Sequence, residues 1–464
     1  MNPSKTSRRQ FIQTLGASTL ISTDLSTKAS SSPLILPKKT FSANDKIRIA
    51  SFGMGIIAFE NMGVIARMPE AEFVAAADCY DGRLARTKEV FGKEVETTRS
   101  YQKLLERKDI DAVIINTPDH WHAQMAIEAM QAGKAVYIEK PIIQKIEDGH
   151  RIIAAQKQTG QVAIVGSKQF RSPLFQKVKT MIRSGAIGRL NTVEATVSRN
   201  NAMGAWQYTI PSDASEKTID WKAFLGTAPD RAFDADRFFR WRKYWDYGTG
   251  VSGDMFVHRL SGLHFILDSK GPTQISATGG VRYWNDGREA PDILMALLDY
   301  PATSTHPDFT LILKANFADG SGGGPSYTFI GSEGVMELQG GKLSVRNNRR
   351  SEASEEALIE GYNSVRTFAQ DQREEFVKEF RQYKRKIPQI DRYDFGGEQV
   401  FQSPDDYDAG IDHFSRFFNA MRGNDTIIQN PTYGLRAAAP SIIPNYCYLE
   451  KKVYQWDPSN MKVV

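Results

Sequence analysis

The sequence predicts an α/β protein. Its first half forms a doubly wound parallel sheet, and its second half is an α+β domain with a mostly antiparallel open sheet. Short apolar runs alternate with amphipathic segments between Lys46 and Val165, a pattern typical of repeated βα units. Beyond Leu190 the apolar residues alternate with polar ones in runs joined by hairpin-like connections, which favours antiparallel strands. A chain of 464 residues also exceeds one ordinary core, so two domains are expected.

We divide the chain into a signal and lead-in at 1–45, a nucleotide-binding domain at 46–167, and an α+β domain at 168–464. A polar and charged insertion is expected around 347–405. The net charge is +5, and the basic residues form no stripe. This argues against nucleic acid as a partner. No apolar run approaches the ~20 residues of a membrane span. Cys79 and Cys447 are too few and too distant for a disulfide framework, so we expect buried free thiols.

The N-terminus resembles a twin-arginine export signal. Ser7-Arg8-Arg9-Gln10-Phe11-Ile12 is followed by a mildly apolar stretch, Leu15 to Ile21. This route exports proteins that are already folded, which suits a cofactor inserted beforehand. The expected location is therefore periplasmic or exported. The alternative is a basic tail with a chance arginine pair, on a cytoplasmic protein.

A glycine turn follows the first predicted strand. Lys46 to Phe52 is a buried strand, and Gly53-Met54-Gly55-Ile56-Ile57-Ala58 opens a helix. Gly53 allows the tight turn, and Gly55 lets a pyrophosphate approach the helix N-terminus. Asp78 ends the next strand, where its carboxylate would bind the ribose hydroxyls and repel a 2′-phosphate. The pattern is that of a Rossmann domain and favours NAD over NADP.

Further βα units complete this sheet. Strands are predicted at Ala112–Asn116, Ala135–Ile138 and Val162–Val165, with helices at His122–Gln131 and Ile146–Gln158. Ligands bind beyond the carboxyl ends of such strands. The cofactor-binding residues predicted there are Gly53, Met54, Gly55, Ile56, Ile57, Asp78, Thr117, Pro118, His120, His122, Glu139 and Lys140.

The second half opens with a helix capped by Ser172-Pro173 and ended by Gly185. Strand-like runs follow at 190–197, 275–278, 293–298, 310–314, 327–330 and 335–338. We read the segment from Asn347 to Asp405 as a helical or loop-rich insertion. Helices are predicted at Phe414–Met421 and Leu435–Tyr448, the second packing back on the first domain.

Asp254 and His258 are the strongest catalytic candidates of the second half. They are four residues apart on a predicted helix, so they share one face. The alternative is structural, with Asp254 as an N-cap and His258 as a core histidine. Just upstream, Phe233 to Tyr247 is aromatic and basic. Its residues Arg240, Trp241 and Tyr244 are candidates for binding a sugar, although a packed loop explains the segment equally well.

Taken together, these motifs resemble the Gfo/Idh/MocA family, the relatives of glucose–fructose oxidoreductase and inositol dehydrogenase. The resemblance rests on Gly53-x-Gly55, Thr117-Pro118…His122, Glu139-Lys140-Pro141 and Asp254-x-x-x-His258, and it extends from about Lys46 to Leu267. It implies bound NAD(P) and redox chemistry on a carbon of a sugar, glycoside or polyol. It also implies a homodimer or homotetramer built through the open face of the second sheet, and a cis Lys140–Pro141 bond.

The implied catalytic residues are Lys140, Asp254 and His258. His258 would accept the hydroxyl proton as general base. Asp254 would orient the imidazole or hold a second hydroxyl, and Lys140 would stabilise charge on the reacting oxygen. These three residues and the aromatic segment form the predicted substrate site. An exported enzyme meets little free NAD, so tightly held cofactor is expected.

Three alternative interpretations of the site remain open. One is glycoside cleavage through transient oxidation and elimination, and another is a non-catalytic sensor of NAD or sugar. The third is a metal site that adds His264 to Asp254 and His258. His264 lies off their helix face, so only two ligands converge and no metal is expected.

Overall fold

The computed structural model describes residues 41–42, 45–168, 172–324, 326–347, 359–384 and 397–464. The arginine pair at Arg8 and Arg9 and the lead-in to residue 40 lie outside the described residues, as does part of the predicted insertion. Within the described part, no helix combines the length and the apolar character needed to cross a membrane.

The first sheet has six parallel strands in the order β3-β2-β1-β4-β5-β6. The four-residue strands of its centre are buried throughout, which explains why they read as continuous apolar runs. The strands are β1 (Ile47–Phe52), β2 (Ala71–Ala77), β3 (Glu96–Thr98), β4 (Ala112–Ile115), β5 (Ala135–Ile138) and β6 (Ala163–Val165). The helices of this domain are α1 (Ile56–Ile65), α2 (Asp81–Phe91), α3 (Tyr101–Glu106), α4 (Asp119–Gln131) and α5 (Ile146–Thr159).

The second sheet has ten strands in the order β14-β13-β12-β11-β7-β10-β9-β8-β15-β16. The β7–β10 pair is parallel, and the other pairs in this sheet are antiparallel. Its strands are β7 (Leu190–Ser198), β8 (Gln274–Gly280), β9 (Ile293–Tyr300), β10 (Phe309–Asn316), β11 (Tyr327–Gly331), β12 (Gly334–Gln339), β13 (Lys342–Asn347), β14 (Glu398–Gln402), β15 (Tyr454–Asp457) and β16 (Lys462–Val463).

The structure also describes helices beyond residue 168. They are α6 (Pro173–Arg183), α7 (Trp221–Leu225), α8 (Ala235–Phe239), α9 (Val257–Leu267), α10 (Gln370–Lys384), α11 (Ala409–Met421) and α12 (Pro431–Glu450). Ser172 caps α6 as expected, because its hydroxyl oxygen accepts from the Phe175 N–H at 3.4 Å. Along β9 and β10 every second residue is buried, so one face of the sheet forms a core, on which α12 packs through β8 and α6 through β13.

Two helices near the C-terminus return to the first domain. Phe414 and Phe417 of α11 are fully buried in one core with Met62 of α1, and the Phe414 ring stacks on Tyr137 with centroids 4.9 Å apart. Helix α12 packs against α5 and β6, as the sequence predicts. A division of the chain at residue 167 therefore omits elements that complete the core of the first domain.

The insertion is shorter than the predicted 347–405. Its described part contains helix α10, but Glu398–Gln402 is strand β14, paired with β13 through Leu343 and Phe401. This edge strand alternates exposed and half-buried residues. Because it buries little, its apolar signal is too weak to separate it from the charged segment before it.

Candidate active site between the two domains

The glycine turn after β1 leaves its outer side open. Gly53 has φ +83°, and a Cβ there would lie 3.0 Å from the Asn116 carbonyl oxygen and 3.1 Å from the Thr117 nitrogen. Only glycine fits such a position without strain. At Gly55 a Cβ would meet no atom within 4 Å. The N-terminus of α1 is thus free to face an anionic group, as a dinucleotide pyrophosphate requires.

Asp78 links the end of β2 to this turn. Its Oδ2 accepts from the Met54 N–H at 2.7 Å, and its Oδ1 accepts from the Tyr80 N–H at 2.9 Å. The Arg83 guanidinium lies 3.6 Å from the same Oδ2. A carboxylate has about four acceptor positions, so Asp78 retains capacity for the ribose hydroxyls that the sequence assigns to it.

A cleft of about 520 Å³ runs from the glycine turn to the second domain. From the first domain it is lined by Gly53, Gly55, Ile56, Ile57, Asp78, Thr117 and Pro118, all predicted cofactor residues. From the second it is lined by Arg199, Tyr208, Phe238, Phe239, Trp241 and Arg242.

Five predicted cofactor residues are not among those that line the cleft, and one of them, Lys140, is described below with Asp254. The Met54 side chain is fully buried, and its backbone N–H donates to Asp78. His120 bonds the Phe224 carbonyl at 2.9 Å, and desolvation lowers its pKa to about 4. His122 lies between the carbonyls of Pro141, at 2.6 Å, and Thr117, at 2.9 Å.

Glu139 is the fourth. Its Oε1 accepts from the Asn61 amide at 3.0 Å, and its Oε2 accepts from the Lys140 N–H at 3.1 Å. The structure therefore places His120, His122 and Glu139 behind the cleft, where they hold the loops that end β4 and β5. These side chains are held by hydrogen bonds inside the protein, so they do not face the cleft.

Lys140 and Asp254 meet beside the cleft, where the lining residue Arg242 approaches the Asp254 carboxylate to 3.4 Å. The Lys140 Nζ lies 2.6 Å from Asp254 Oδ1, and the Lys140–Pro141 peptide bond is cis. Asp254 belongs to a π-helical turn, Ser252–Phe256, that precedes α9. Such turns are frequent at functional sites. Asp254 is therefore not an N-cap, and it aims at the end of β5.

The charges around this pair set the protonation of the site. Burial opposes ionisation of Asp254, but the cations of Lys140 and Arg242 outweigh it, so the pKa of this carboxyl lies below its usual range. His258 is exposed to solvent, yet the protein around the imidazole desolvates it. Desolvation, followed by the Lys140 cation, holds the pKa of His258 well below its ordinary value. The site thus offers a carboxylate and a neutral imidazole at neutral pH.

The aromatic segment is divided between the cleft and the core. Arg242 and Trp241 line the cleft, with the guanidinium 4.2 Å from the indole centroid and Arg242 Nε 3.4 Å from Asp254 Oδ2. Arg240 instead donates to the Tyr208 carbonyl at 2.7 Å, and the Tyr244 hydroxyl bonds Asp236.

Arg240 and Tyr244 are therefore placed away from the cleft that the sequence assigns to them. The Tyr208 carbonyl holds the Arg240 guanidinium and Asp236 holds the Tyr244 hydroxyl, so the two residues that flank the 3₁₀ turn Trp241–Lys243 are bonded elsewhere.

Arg199 is the main site residue that the sequence reading missed. It follows β7 directly and lines the cleft. A basic residue at the end of a strand was the available signal. His264 lies in the core, bonded to the Tyr300 hydroxyl at 2.9 Å, and the described ranges contain no group of three metal-ligating side chains. Cys79 and Cys447 are free thiols, and Cys79 is only half-buried.

Comparison with known proteins gives relatives of two kinds. A Glycosyl hydrolase family 109 protein of Shewanella baltica (strain OS155 / ATCC BAA-1091) is 27% identical over 243 residues, covering 47% of this chain and 50% of that protein. A scyllo-inositol 2-dehydrogenase (NAD(+)) of Bacillus subtilis (strain 168) is 30% identical over 145 residues, covering 31% of this chain and 42% of that protein. The chain thus spans about half the length, or less, of these curated relatives.

Solved structures share the whole architecture. The WlbA dehydrogenase of Bordetella pertussis, solved with NADH and UDP-GlcNAcA, has a TM-score of 0.61 at 18% identity, covering 89% of this chain and 99% of that one. An oxidoreductase of Agrobacterium radiobacter, solved with NAD+, L-tartaric acid and magnesium, has a TM-score of 0.62 at 14% identity, covering 90% and 100%.

Family models match both domains. Residues 47–167 match the model described as the oxidoreductase family, NAD-binding Rossmann fold. Residues 171–282 match the model of the C-terminal alpha/beta domain of the same oxidoreductase family. The two matches together span half of the chain, so this protein belongs to the Gfo/Idh/MocA family of oxidoreductases, and its first domain is the NAD-binding Rossmann domain of that family.

Proposed function

We propose that the protein is an NAD-dependent oxidoreductase that transfers a hydride between nicotinamide and a carbinol carbon of a sugar, glycoside or polyol. The observation that carries this proposal is the 2.6 Å pair of Lys140 and Asp254, with the exposed imidazole of His258 near both charges, beside a cleft that suits a dinucleotide. The inositol dehydrogenase among the relatives supports the substrate class.

The residues present fit NAD. The open backbone at Gly55 suits a pyrophosphate, and Asp78 suits an unphosphorylated ribose. When bound, the nicotinamide supplies the hydride acceptor. Lys140 then donates a hydrogen bond to the reacting oxygen and stabilises the negative charge developing there. His258 accepts the hydroxyl proton, and the neighbouring Asp254 carboxylate stabilises the imidazolium that forms.

A second candidate is glycoside cleavage by transient oxidation. The match to glycosyl hydrolase family 109 proteins favours it. In that reaction, oxidation acidifies a neighbouring C–H, loss of that proton eliminates the aglycone, water adds to the resulting double bond, and the hydride returns to the ketone. Net formation of NADH from a simple sugar supports the dehydrogenase. Release of aglycone without net redox change supports the second candidate.

The proposal extends to the setting of the enzyme. The twin-arginine-type sequence supports an exported, periplasmic protein that carries its cofactor tightly bound and recycles it with a second substrate. The family resemblance supports a homodimer or homotetramer.

One experiment tests the activity. Purified protein is denatured and the released nucleotide is identified, and the native holoenzyme is then assayed against sugars and glycosides for keto products. We expect NAD in near-equimolar amount and a keto product from at least one sugar or glycoside. Protein that holds no nucleotide and forms no keto product with added NAD would refute the proposal.

A further inference from the structure

The substrate end of the cleft carries more positive than negative side chains. Lys140 and Arg242 share one carboxylate, that of Asp254. Arg199 lines the same cleft. In the described part of the chain no carboxylate forms an ion pair with Arg199. Its Nη1 donates to the Gly204 carbonyl at 2.8 Å, and its guanidinium lies 5.3 Å from the Phe317 ring centroid.

A second arginine stands near the imidazole. Arg259 donates through Nε to the Thr196 carbonyl at 3.2 Å, and its guanidinium lies 5.4 Å from the Tyr327 ring centroid. Arg259 and Arg199 both disfavour the proton on His258 and so contribute to its lowered pKa. Both charges are therefore felt at the reacting centre.

Two further acids of this region, Asp319 and Asp119, are already engaged. The Asp319 N–H donates to the Arg199 carbonyl at 3.0 Å, but its carboxylate accepts from the N–H and hydroxyl of Ser321 at 3.0 and 2.6 Å. Asp119 is buried and bonds Thr249, and desolvation raises its pKa to about 6. Neither carboxylate compensates the Arg199 guanidinium, whose charge remains available to a molecule in the cleft.

We propose that the substrate carries a negatively charged substituent, a carboxylate or a phosphate, which Arg199 binds at the substrate end of the cleft. A guanidinium forms paired, charge-assisted hydrogen bonds with either group. This inference rests on the proposed function for the identity of the site, but it concerns binding and is tested by binding.

The test compares matched sugars on the holoenzyme by calorimetry. The probes are D-glucose, D-glucuronate and D-glucose 6-phosphate, with the corresponding galactose set. We expect at least one acidic sugar to bind about tenfold or more tightly than its neutral partner, as a charged hydrogen-bonded pair implies. The uronate and phosphate arms tell the two sources of charge apart. Raising ionic strength from about 0.05 to about 0.5 M should weaken the acidic ligand selectively.

Variants assign the preference to one side chain. Arg199→Gln should lower the ratio of acidic to neutral affinity about tenfold, and Arg199→Lys should retain part of it, since lysine keeps the charge but loses the fork. Arg189→Gln is the matched control, because Arg189 is exposed and paired with Asp308 at 2.6 Å. Retained nucleotide and an unchanged circular dichroism spectrum show that each variant is folded.

Two results would overturn the inference. One is an acidic sugar that never binds more tightly than its neutral partner. The other is an affinity ratio that Arg199→Gln leaves unchanged. If acidic sugars are preferred but no sugar yields a keto product, the proposed function fails and the anion site stands. If neutral sugars are oxidised without any acidic preference, the reverse holds.

Discussion

At the scale of single residues, the proposed reaction depends most on Lys140. Replacing it by methionine keeps the length of the side chain but removes the cation that faces Asp254. Loss of one such electrostatic stabiliser typically costs about 10²–10³ in rate. We expect Lys140→Met to lose turnover to that extent while still purifying with nucleotide. Lys157→Met, on the exposed face of α5, is the control and should turn over normally.

The pH dependence of oxidation tests the role of His258. A general base must be neutral, and desolvation with the Lys140 cation lowers the pKa of this imidazole. Because the lowered pKa keeps the ring neutral to lower pH, kcat/KM for oxidation should stay level as the pH falls through about 6.5, the ordinary histidine value. In Lys140→Met the residual rate should begin to fall at higher pH than in the wild type. Identical acid limbs in the two proteins would contradict this coupling.

Residues that belong to a motif with a fixed order can be identified from the sequence. Residues that reach the site only through the three-dimensional fold cannot. Lys140, Asp254 and His258 follow from motif order. Trp241 lines the cleft and Tyr244 does not, because the Tyr244 hydroxyl is bonded to Asp236, a contact that no periodicity of the sequence indicates. Arg199 comes to the cleft through the pairing of β7 in the second sheet, and such long-range pairing is not written in local sequence.

At the scale of elements, the turn between β1 and α1 is the most constrained. Gly53→Ala would place a Cβ 3.0 Å from the Asn116 carbonyl in a positive-φ conformation, a strain that costs about 1 kcal/mol or more. We expect this variant to purify with less bound nucleotide. Gly63→Ala, inside α1 with no atom within 4 Å of the added carbon, should retain it. Equal occupancy in the two variants would show that the turn does not hold the cofactor.

Elements that bury much apolar surface are predictable, and those that bury little are not. The fully buried strands β4 and β5 and the alternating strand β10 carry clear periods of hydrophobicity. The edge strand β14 has no buried residue, so its sequence resembles the charged insertion. The π turn at Asp254 escapes prediction because its extra residue changes the helical register without changing composition.

At the scale of the whole molecule, the first domain depends on the end of the chain. Phe414 of α11 is fully buried against the sheet, and deletion of such a side chain costs about 3–5 kcal/mol. We expect Phe414→Ala to lower the free energy of unfolding by that amount in chemical denaturation. Phe368→Ala is the control, since Phe368 is 42% exposed. Equal effects of the two substitutions would mean that α11 does not complete this core.

Buried histidines tie global stability to pH. Desolvation lowers the pKa of His413 and of His264 to about 3 and that of His120 to about 4. The unfolded chain therefore takes up these protons first, near pH 6.5, and stability falls as the pH drops below that value. Each group contributes up to about 1.4 kcal/mol per pH unit. The lowered pKa of His258 adds to this effect, and the raised pKa of Asp119, about 6, opposes it as a single group.

Denaturation at pH 7 and pH 5 measures that slope. We expect His413→Asn to reduce the loss of stability on acidification by up to the contribution of one histidine. His150→Gln, on the exposed face of α5, should leave the loss as it is. If the free energy of unfolding depends on pH equally in His413→Asn and in the wild type, His413 does not contribute to this dependence.

The proposed reaction requires Lys140, Asp254 and His258 to surround one nicotinamide ring. A crystal structure of the protein with NAD+ tests it most directly. We predict that the carboxamide-bearing ring lies at the mouth of the cleft, with its C4 facing the space between these three side chains. A ring bound elsewhere, or three side chains directed into separate regions, would contradict the account.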